Sequence, residues 1–131
     1  MDHGRVNAMA TAAMVVLIIL IIGQSELARA TTYTVGDASG WTFNVTEKWP
    51  REGDRFKAGD TFVFSYSFGA HNVVVVKRAT DYQSCTAPSD AKVYSSGNDK
   101  IELVKGENFF ICSFPDHCQK FGVKIAVNAT N

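Results

Sequence analysis

The stretch ICSFPDHCQKFGVKIAVNA, residues 111–129, places two cysteines and one histidine in a short loop that leads into an alternating apolar segment. Cys112 and His117 lie five positions apart, and Cys118 follows the histidine directly. In the last part of the stretch an apolar residue occupies every second position, which is the period of a β-strand with one buried face. The stretch therefore predicts a strand, a loop with sulfur- and nitrogen-bearing side chains, and a second strand.

Similar short segments fill the rest of the chain after residue 30. β-branched and aromatic residues are prominent in four of them, which are TTYTVG (31–36), DTFVFSYSF (60–68), HNVVVVK (71–77) and KIELVKGENFFICS (100–113). Turn-forming residues separate these segments, and only RATDYQSC (78–85) and VTEKWP (45–50) suggest brief helical turns. Many short strands at such spacing are typical of an antiparallel sandwich or barrel. The predicted fold class is all-β.

Two finer expectations concern the core and the pairing of strands. Alternation in residues 60–68 predicts one aromatic core stripe, made of Phe62, Phe64, Tyr66 and Phe68. Residues 100–113 are interpreted as a hairpin that turns at residues 105–108, although Lys-Gly is a weaker turn signal than Asn-Gly. Trp41 and Trp49 suit either the core or a surface for a partner.

The first thirty residues differ from the rest of the chain. Arg5 precedes an apolar run from Ala10 to Ile22, and the segment ends in the small-x-small pattern Ala28-x-Ala30. These features are typical of a secretory signal peptide, and the run is short for a membrane span. We expect residues 1–30 to be a signal peptide and residues 31–131 to form one secreted domain, with an uncleaved anchor as the alternative.

Charge and the C-terminal segment exclude some classes of partner. Thirteen basic and thirteen acidic residues leave the chain formally neutral, and no cluster of lysine or arginine suggests nucleic acid. The segment after Asn128 offers no hydrophobic tail for a lipid anchor. We expect a monomer in the extracellular space or cell wall, without a membrane anchor. Sequons at Asn44 and Asn128 are candidate glycosylation sites.

The donor atoms for a metal come from three residues of the expected domain. Three cysteines in a secreted domain leave one without a disulfide partner. The same residues contain two histidines, His71 at the start of the valine-rich segment and His117 in the loop. One thiolate and two imidazoles are the trigonal donor set of a blue-copper site. Cys112 and His117 across a four-residue loop, with His71 from a neighbouring strand, can face a common point.

The cysteine pairing stays open at this point, because three thiols allow three pairings. If Cys112 is the ligand, Cys85 pairs with Cys118 and no thiol is left over. A zinc site with two cysteines, Cys112 and Cys118, would leave Cys85 free in an oxidising compartment. A cysteine–histidine nucleophile pair would lack an obvious orienting asparagine or aspartate.

Seven segments of the chain, in order, resemble the phytocyanins, the plant blue-copper cupredoxins. They are VGDASGW, FKAGDTFVFSY, HNVVVV, YQSC, YSSGNDKIEL, NFFICSFPDHCQ and GVKIAVNA. Within that family they are similar to the plantacyanins, or basic blue proteins. The resemblance implies a cupredoxin-like Greek-key β-sandwich with copper at one end. It also implies His71, Cys112 and His117 as the equatorial ligands and Cys85–Cys118 as the structural disulfide.

Two features depart from the family pattern. Plantacyanins are typically basic, whereas this domain is neutral. The family usually places an axial methionine or glutamine after HCxxG, whereas HCQKFGV (117–123) has one extra residue and ends in Val123. We therefore expect Val123 to be a non-coordinating axial position. Gln119 is too near His117 to match the family position, and Gln83 is distant in sequence. The alternative is a bulge at the extra residue, which would turn the loop so that Gln119 or a carbonyl caps the metal.

The resemblance implies one-electron transfer without enzymatic activity. The expected partner is an extracellular redox protein or a small-molecule electron donor, which would approach an imidazole edge of His117. Phe114, Pro115 and Phe121 are expected to exclude water there. The alternative is a non-redox extracellular binding or signalling module on the same scaffold, which the intact set of three donors disfavours.

Overall fold

The computed structural model describes residues 29–131, so nearly all of the expected signal peptide lies outside the described residues. Within this range the strands are β1 (Thr32–Thr34), β2 (Phe56–Lys57), β3 (Thr61–Ser65), β4 (Val73–Val76), β5 (Lys92–Tyr94), β6 (Asn98–Glu102), β7 (Gly106–Ile111) and β8 (Lys124–Thr130). The helices are α1 (Val45–Lys48) and α2 (Ala79–Ser84), with a 3-10 turn at Asp37–Ser39. Both predicted helical turns are confirmed. No helix in residues 29–131 has the length and apolar character needed to cross a membrane.

Two sheets pack face to face around one core. The first has the strand order β1-β3-β6, and the second has the order β2-β8-β7-β4-β5. Side chains from both sheets meet between them; the rings of Phe62 on β3 and Phe110 on β7, for example, have centroids 6.0 Å apart. Trp41 and Trp49 are both buried in the same core. The predicted all-β sandwich is confirmed.

The pairing of strands is not wholly antiparallel, and that part of the prediction was wrong. β1 runs parallel to β3, and β2 runs parallel to β8. The other four pairs are antiparallel. A parallel pair needs a crossover between its strands. The segment between β1 and β3 provides one, because it carries α1 and leaves β2 in the other sheet.

The predicted hairpin at residues 100–113 was also wrong, because its two strands lie in different sheets. β6 pairs with β3, whereas β7 pairs with β4 and β8. At the change of sheet, the backbone of Leu103 bonds to Gly59 and Asp60 at 2.9 Å and 2.8 Å. The side chain of Asn108 bonds to both backbone groups of Val104. These bonds turn the chain from one layer to the other.

The aromatic stripe of residues 60–68 continues only as far as the strand does. Phe62 and Phe64 are fully buried, and Tyr66 is half-buried against the core. Phe68, however, is 83% exposed, so its assignment to the core was wrong. β3 ends at Ser65. The chain then makes a turn at residues 67–70, which carries Phe68 away from the core.

The five-stranded sheet is covered on both faces, and this explains the unbroken valine run of β4. Val73 points into the main core, whereas Val74 and Val76 belong to a second cluster with residues of β7. Tyr82 of α2 and Cys85, just after it, pack against this second cluster. A strand buried on both faces does not need polar residues at alternate positions.

Cys85 and Cys118 form a disulfide that joins the end of α2 to the loop after β7, with Cα atoms 5.8 Å apart. We predict that replacing both cysteines with alanine lowers the free energy of unfolding by about 3–4 kcal/mol, because the closed ring restricts the unfolded chain. Urea unfolding of the copper-free variant and wild type measures the difference. Chemical reduction of the wild type is the control and should cause a similar loss. Equal stability of the two proteins would contradict the prediction.

Candidate metal centre

The structure brings His71, Cys112 and His117 together at one end of the sandwich. The Nδ1 atoms of the two histidines are 2.9 Å apart. The Sγ atom of Cys112 lies 3.8 Å from Nδ1 of His71 and 3.6 Å from Nδ1 of His117. Among residues 29–131, these three form the group of donor side chains close enough to hold one ion. Such separations suit three ligands of a single metal.

The sheet itself brings two of these donors together. β4 and β7 are antiparallel neighbours, with Val74 opposite Ile111. The start of β4 therefore lies beside the end of β7. His71 comes two residues before β4, and Cys112 directly follows β7. His117 is added by the loop between β7 and β8.

Asn72, which follows His71, is hydrogen-bonded to Ser113, which follows Cys112. Sequence reasoning missed this role of Asn72. Its side-chain Nδ2 donates to Oγ of Ser113 at 2.7 Å, and its Oδ1 accepts from the backbone N–H of Ser113 at 2.8 Å. Its carbonyl accepts from Nε1 of Trp41 at 2.9 Å. Asn72 and its bond to Trp41 are buried, whereas Ser113 is exposed and the two bonds to it are partly buried. The only signal in the sequence is a polar amide at the start of an apolar run.

Val123 is held by backbone bonds to two of the donor residues. Its N–H donates to the carbonyl of His117 at 2.9 Å, and its carbonyl accepts from the N–H of Cys112 at 3.0 Å. The residue is fully buried in the same cluster as Cys112. A valine side chain offers no donor atom. Gln83 and Gln119 are both exposed to solvent.

The loop between β7 and β8, which has one residue more than the family pattern, forms a turn on the exposed side of the site. The N–H groups of Lys120 and Phe121 both donate to the carbonyl of Asp116, at 2.9 Å and 3.2 Å. The carbonyl of Phe121 accepts from the N–H of Asn44 at 2.6 Å, so the lengthened loop closes on the segment before α1. This turn leaves Gln119 on the exposed side of the loop.

Aromatic rings flank both imidazoles. Phe43, which sequence reasoning missed, is edge-on to both, with centroid distances of 5.3 Å to His71 and 5.0 Å to His117. Phe114 also contacts His117, at 5.5 Å, whereas Phe121 packs on Phe43 at 5.1 Å. Phe43 and Phe121 are nearly half exposed, at 46% and 44%. Together with the exposed Pro115 they make the rim of the site apolar.

Burial shifts the pKa values of two of the donors, Cys112 and His71. Burial raises the pKa of the Cys112 thiol, and the backbone N–H groups of Asn72 and Phe114 oppose that rise. Burial, followed by the charge of His117, lowers the pKa of His71. The imidazole of His71 is therefore neutral at pH 7, with a lone pair for a metal, and the thiol loses its proton when a cation binds. A soft cation that accepts sulfur and imidazole nitrogen fits this donor set.

A protonated tyrosine lies behind His71. The ring centroids of Tyr66 and His71 are 6.2 Å apart, and the hydroxyl of Tyr66 donates to Oδ2 of Asp99 at 2.5 Å. Burial and the bond to Asp99 raise the pKa of Tyr66 to about 12. Tyr66 therefore adds no charge to the site at neutral pH.

Comparison with known proteins places this arrangement in a family. The family described as plastocyanin-like domains matches residues 41–122. Basic blue protein from Cucumis sativus is 56% identical over 97 residues, which are 74% of this chain and 97% of that protein. Chemocyanin from Lilium longiflorum is 46% identical over 129 residues, covering 98% of this chain and 99% of that protein.

A solved structure of a relative has the same fold. Cucumber basic protein, a blue copper protein, superposes with a TM-score of 0.70 at 52% identity, covering 76% of this chain and 99% of that one. Agreement in sequence and in fold thus extends over most of the described residues, and the chain belongs to the phytocyanins, a family of plastocyanin-like domains.

Proposed function

We propose that this chain binds one copper ion through His71, Cys112 and His117 and carries single electrons outside the cell. The proposal depends on one observation, the convergence of a buried thiol and two imidazole nitrogens within 2.9–3.8 Å of one another. Bound copper supplies a one-electron couple between its cupric and cuprous states. The names of the similar proteins, basic blue protein and blue copper protein, support the choice of metal.

The chain holds its donors through contacts that do not involve a metal. Asn72 bonds to Ser113, and Val123 bonds to both His117 and Cys112. Donors fixed in this way change position little when the charge of a bound ion changes. A small rearrangement lowers the barrier to electron transfer, which suits a carrier of electrons.

His117 provides the route between the site and a partner. His71 and Cys112 are buried, whereas His117 is half-buried. Phe43, Phe114 and Phe121 form an apolar rim around it, which excludes water and allows a close approach. The protein acts as an electron carrier and not as an enzyme, and its partner is an extracellular redox protein or a small-molecule electron donor.

Secretion completes the proposal. Residues 1–30 are the signal peptide, and residues 31–131 are a monomeric domain of the extracellular space or cell wall. Asn44 and Asn128 are both exposed, which supports them as glycosylation sites.

The first test concerns the thiolate. Cys112→Ser should abolish the intense blue absorption that appears when Cu(II) is added to the wild type, because serine offers no soft sulfur. His117→Ala should weaken copper binding by removing one of three strong donors. Absorption spectra during copper titration measure both effects. The variant without the disulfide, Cys85→Ala with Cys118→Ala, is the control and should stay blue. A blue band in Cys112→Ser would contradict the assignment.

The second test concerns the axial position. Val123→Met should lower the reduction potential, because an added axial donor stabilises the cupric state more than the cuprous state. Val123→Leu is the matched control, since it adds bulk at the same buried position without a donor atom. Voltammetry of both variants and the wild type measures the shift. Equal potentials in the two variants would count against Val123 as a vacant axial position.

A third test concerns the ring that touches both histidines. Phe43→Ala should speed the loss of copper to a chelator by about tenfold, because it removes two edge-to-face contacts of about 0.5–1.5 kcal/mol each. Phe121→Ala is the control, because its ring has similar exposure but packs on Phe43 and not on a histidine within residues 29–131, and its rate should stay within about twofold of wild type. Equal rates in the two variants would show that Phe43 does not hold the imidazoles.

A further inference from the structure

A buried carboxylate without a positive partner lies next to the first residue of the proposed mature domain. Asp60 is 2% exposed. Its Oδ1 accepts from the backbone N–H of Thr31 and its Oδ2 from that of Lys57, each at 2.8 Å. None of the ion pairs in residues 29–131 involves Asp60. The carboxylate therefore has neutral amide donors only.

Such an arrangement is costly for a charged group. Removing an ionised carboxylate from water costs several kcal/mol unless a positive charge or several hydrogen bonds replace the water. The other buried aspartate, Asp99, accepts from the hydroxyl groups of Tyr66 and Ser96 and from a backbone N–H of Ser96. Asp60 has one donor fewer and no hydroxyl among them, so it is the buried acid with the greater need of a cation.

The register of the first strand fixes which nitrogen can meet this need. β1 runs parallel to β3, with Thr32 opposite Thr61, and the carbonyl of Thr31 accepts from the N–H of Thr61 at 2.9 Å. These pairs hold the nitrogen of Thr31 beside Asp60. Thr31 is also the residue that directly follows the Ala28-x-Ala30 pattern. The nitrogen of Thr31 is thus both the atom that donates to Asp60 and the atom that cleavage after Ala30 would make the new N-terminus.

We propose that cleavage of the Ala30–Thr31 peptide bond creates the missing cation, a terminal ammonium on Thr31 that forms an ion pair with Asp60. The proposal rests on the assignment of residues 1–30 as a signal peptide cut by an endopeptidase. Hydrolysis adds one water molecule across the bond. Ala30 leaves with a carboxylate, and the nitrogen of Thr31 changes from an amide with one hydrogen to an ammonium with three.

The ion pair stabilises β1, the short edge strand of the three-stranded sheet. β1 has three residues and pairs with β3 alone. The ammonium keeps the hydrogen bond that the amide already makes and adds a full positive charge at the same place. A hydrogen bond between charged groups is stronger than one between neutral groups. The processed domain is therefore more stable than the precursor, and export and stability are coupled.

The position of cleavage is tested on the full chain. The complete sequence is expressed in plant cells, and the secreted protein is submitted to N-terminal sequencing. Thr31 is the expected first residue. Any other first residue would overturn the proposal, because its ammonium would lie away from Asp60.

The ion pair is tested by removing the charge while keeping one N–H. Thr31→Gln gives a secreted chain whose terminal glutamine is converted by glutaminyl cyclase into pyroglutamate, with release of ammonia. The ring nitrogen keeps one hydrogen and loses its charge. Thr31 is exposed, so the substitution itself disturbs no packing. Urea unfolding before and after cyclisation, at equal copper content, measures the effect of the charge alone.

Cyclisation should raise the unfolding equilibrium constant by about fivefold when Asp60 is present, the difference expected between a charged and a neutral hydrogen bond. It should change that constant less than about twofold in the Asp60→Asn background. Asp54→Asn is the matched control, and there the full effect of cyclisation should remain. Equal effects in the Asp60 and Asp60→Asn backgrounds would overturn the proposal. If Asp60→Asn does not fold, the absence of any effect in Thr31→Gln alone would do so.

Discussion

The candidate metal centre depends on two hydrogen bonds between the side chain of Asn72 and Ser113. They connect the residue after His71 to the residue after Cys112, at the place where the two strands diverge into loops. The amide of asparagine can both donate and accept, so it satisfies both bonds with one partner residue. Loss of either bond would leave a buried polar group without a partner, which is costly.

The same residue links the donors to the core. The carbonyl of Asn72 accepts from the indole of Trp41, and its N–H faces the sulfur of Cys112. Trp41 in turn packs edge-on against Phe64, one of the fully buried rings. The position of the thiol is therefore set by the packing of the sandwich, before any metal binds.

The donors could be found from the sequence, but the residues that position them could not. An odd number of cysteines in a domain expected to be secreted, together with two histidines at suitable places, restricts the chemistry strongly. Asn72 and Ser113, by contrast, are 41 positions apart, and the role of either depends on the other. The contact of Phe43 with both imidazoles is likewise a property of the folded chain. Composition and spacing do not carry such information.

The fold was predictable where a local pattern decides it. Alternation located the strands β3 and β8, and the valine run located β4. The sequence did not predict that β6 and β7 lie in different sheets. Lys-Gly at residues 105 and 106 is compatible both with a hairpin and with a crossing to the other sheet. The bonds of Leu103 to residues more than forty positions earlier decide that choice. Alternation also continued past Ser65 to Phe68, after the strand had ended.

Because Val123 is held by backbone hydrogen bonds, the positions of the proposed ligands do not depend on the side chain that would influence the reduction potential. These bonds join Val123 to Cys112 and His117 through main-chain atoms, so they do not depend on which side chain occupies the position. The carbonyl of Phe121 in the lengthened loop accepts from the N–H of Asn44, and both bonds of Val123 are present beside it. In the proposed copper site, a change of side chain at position 123 would therefore alter the axial environment of the metal, and with it the reduction potential, while the three proposed ligands keep their places.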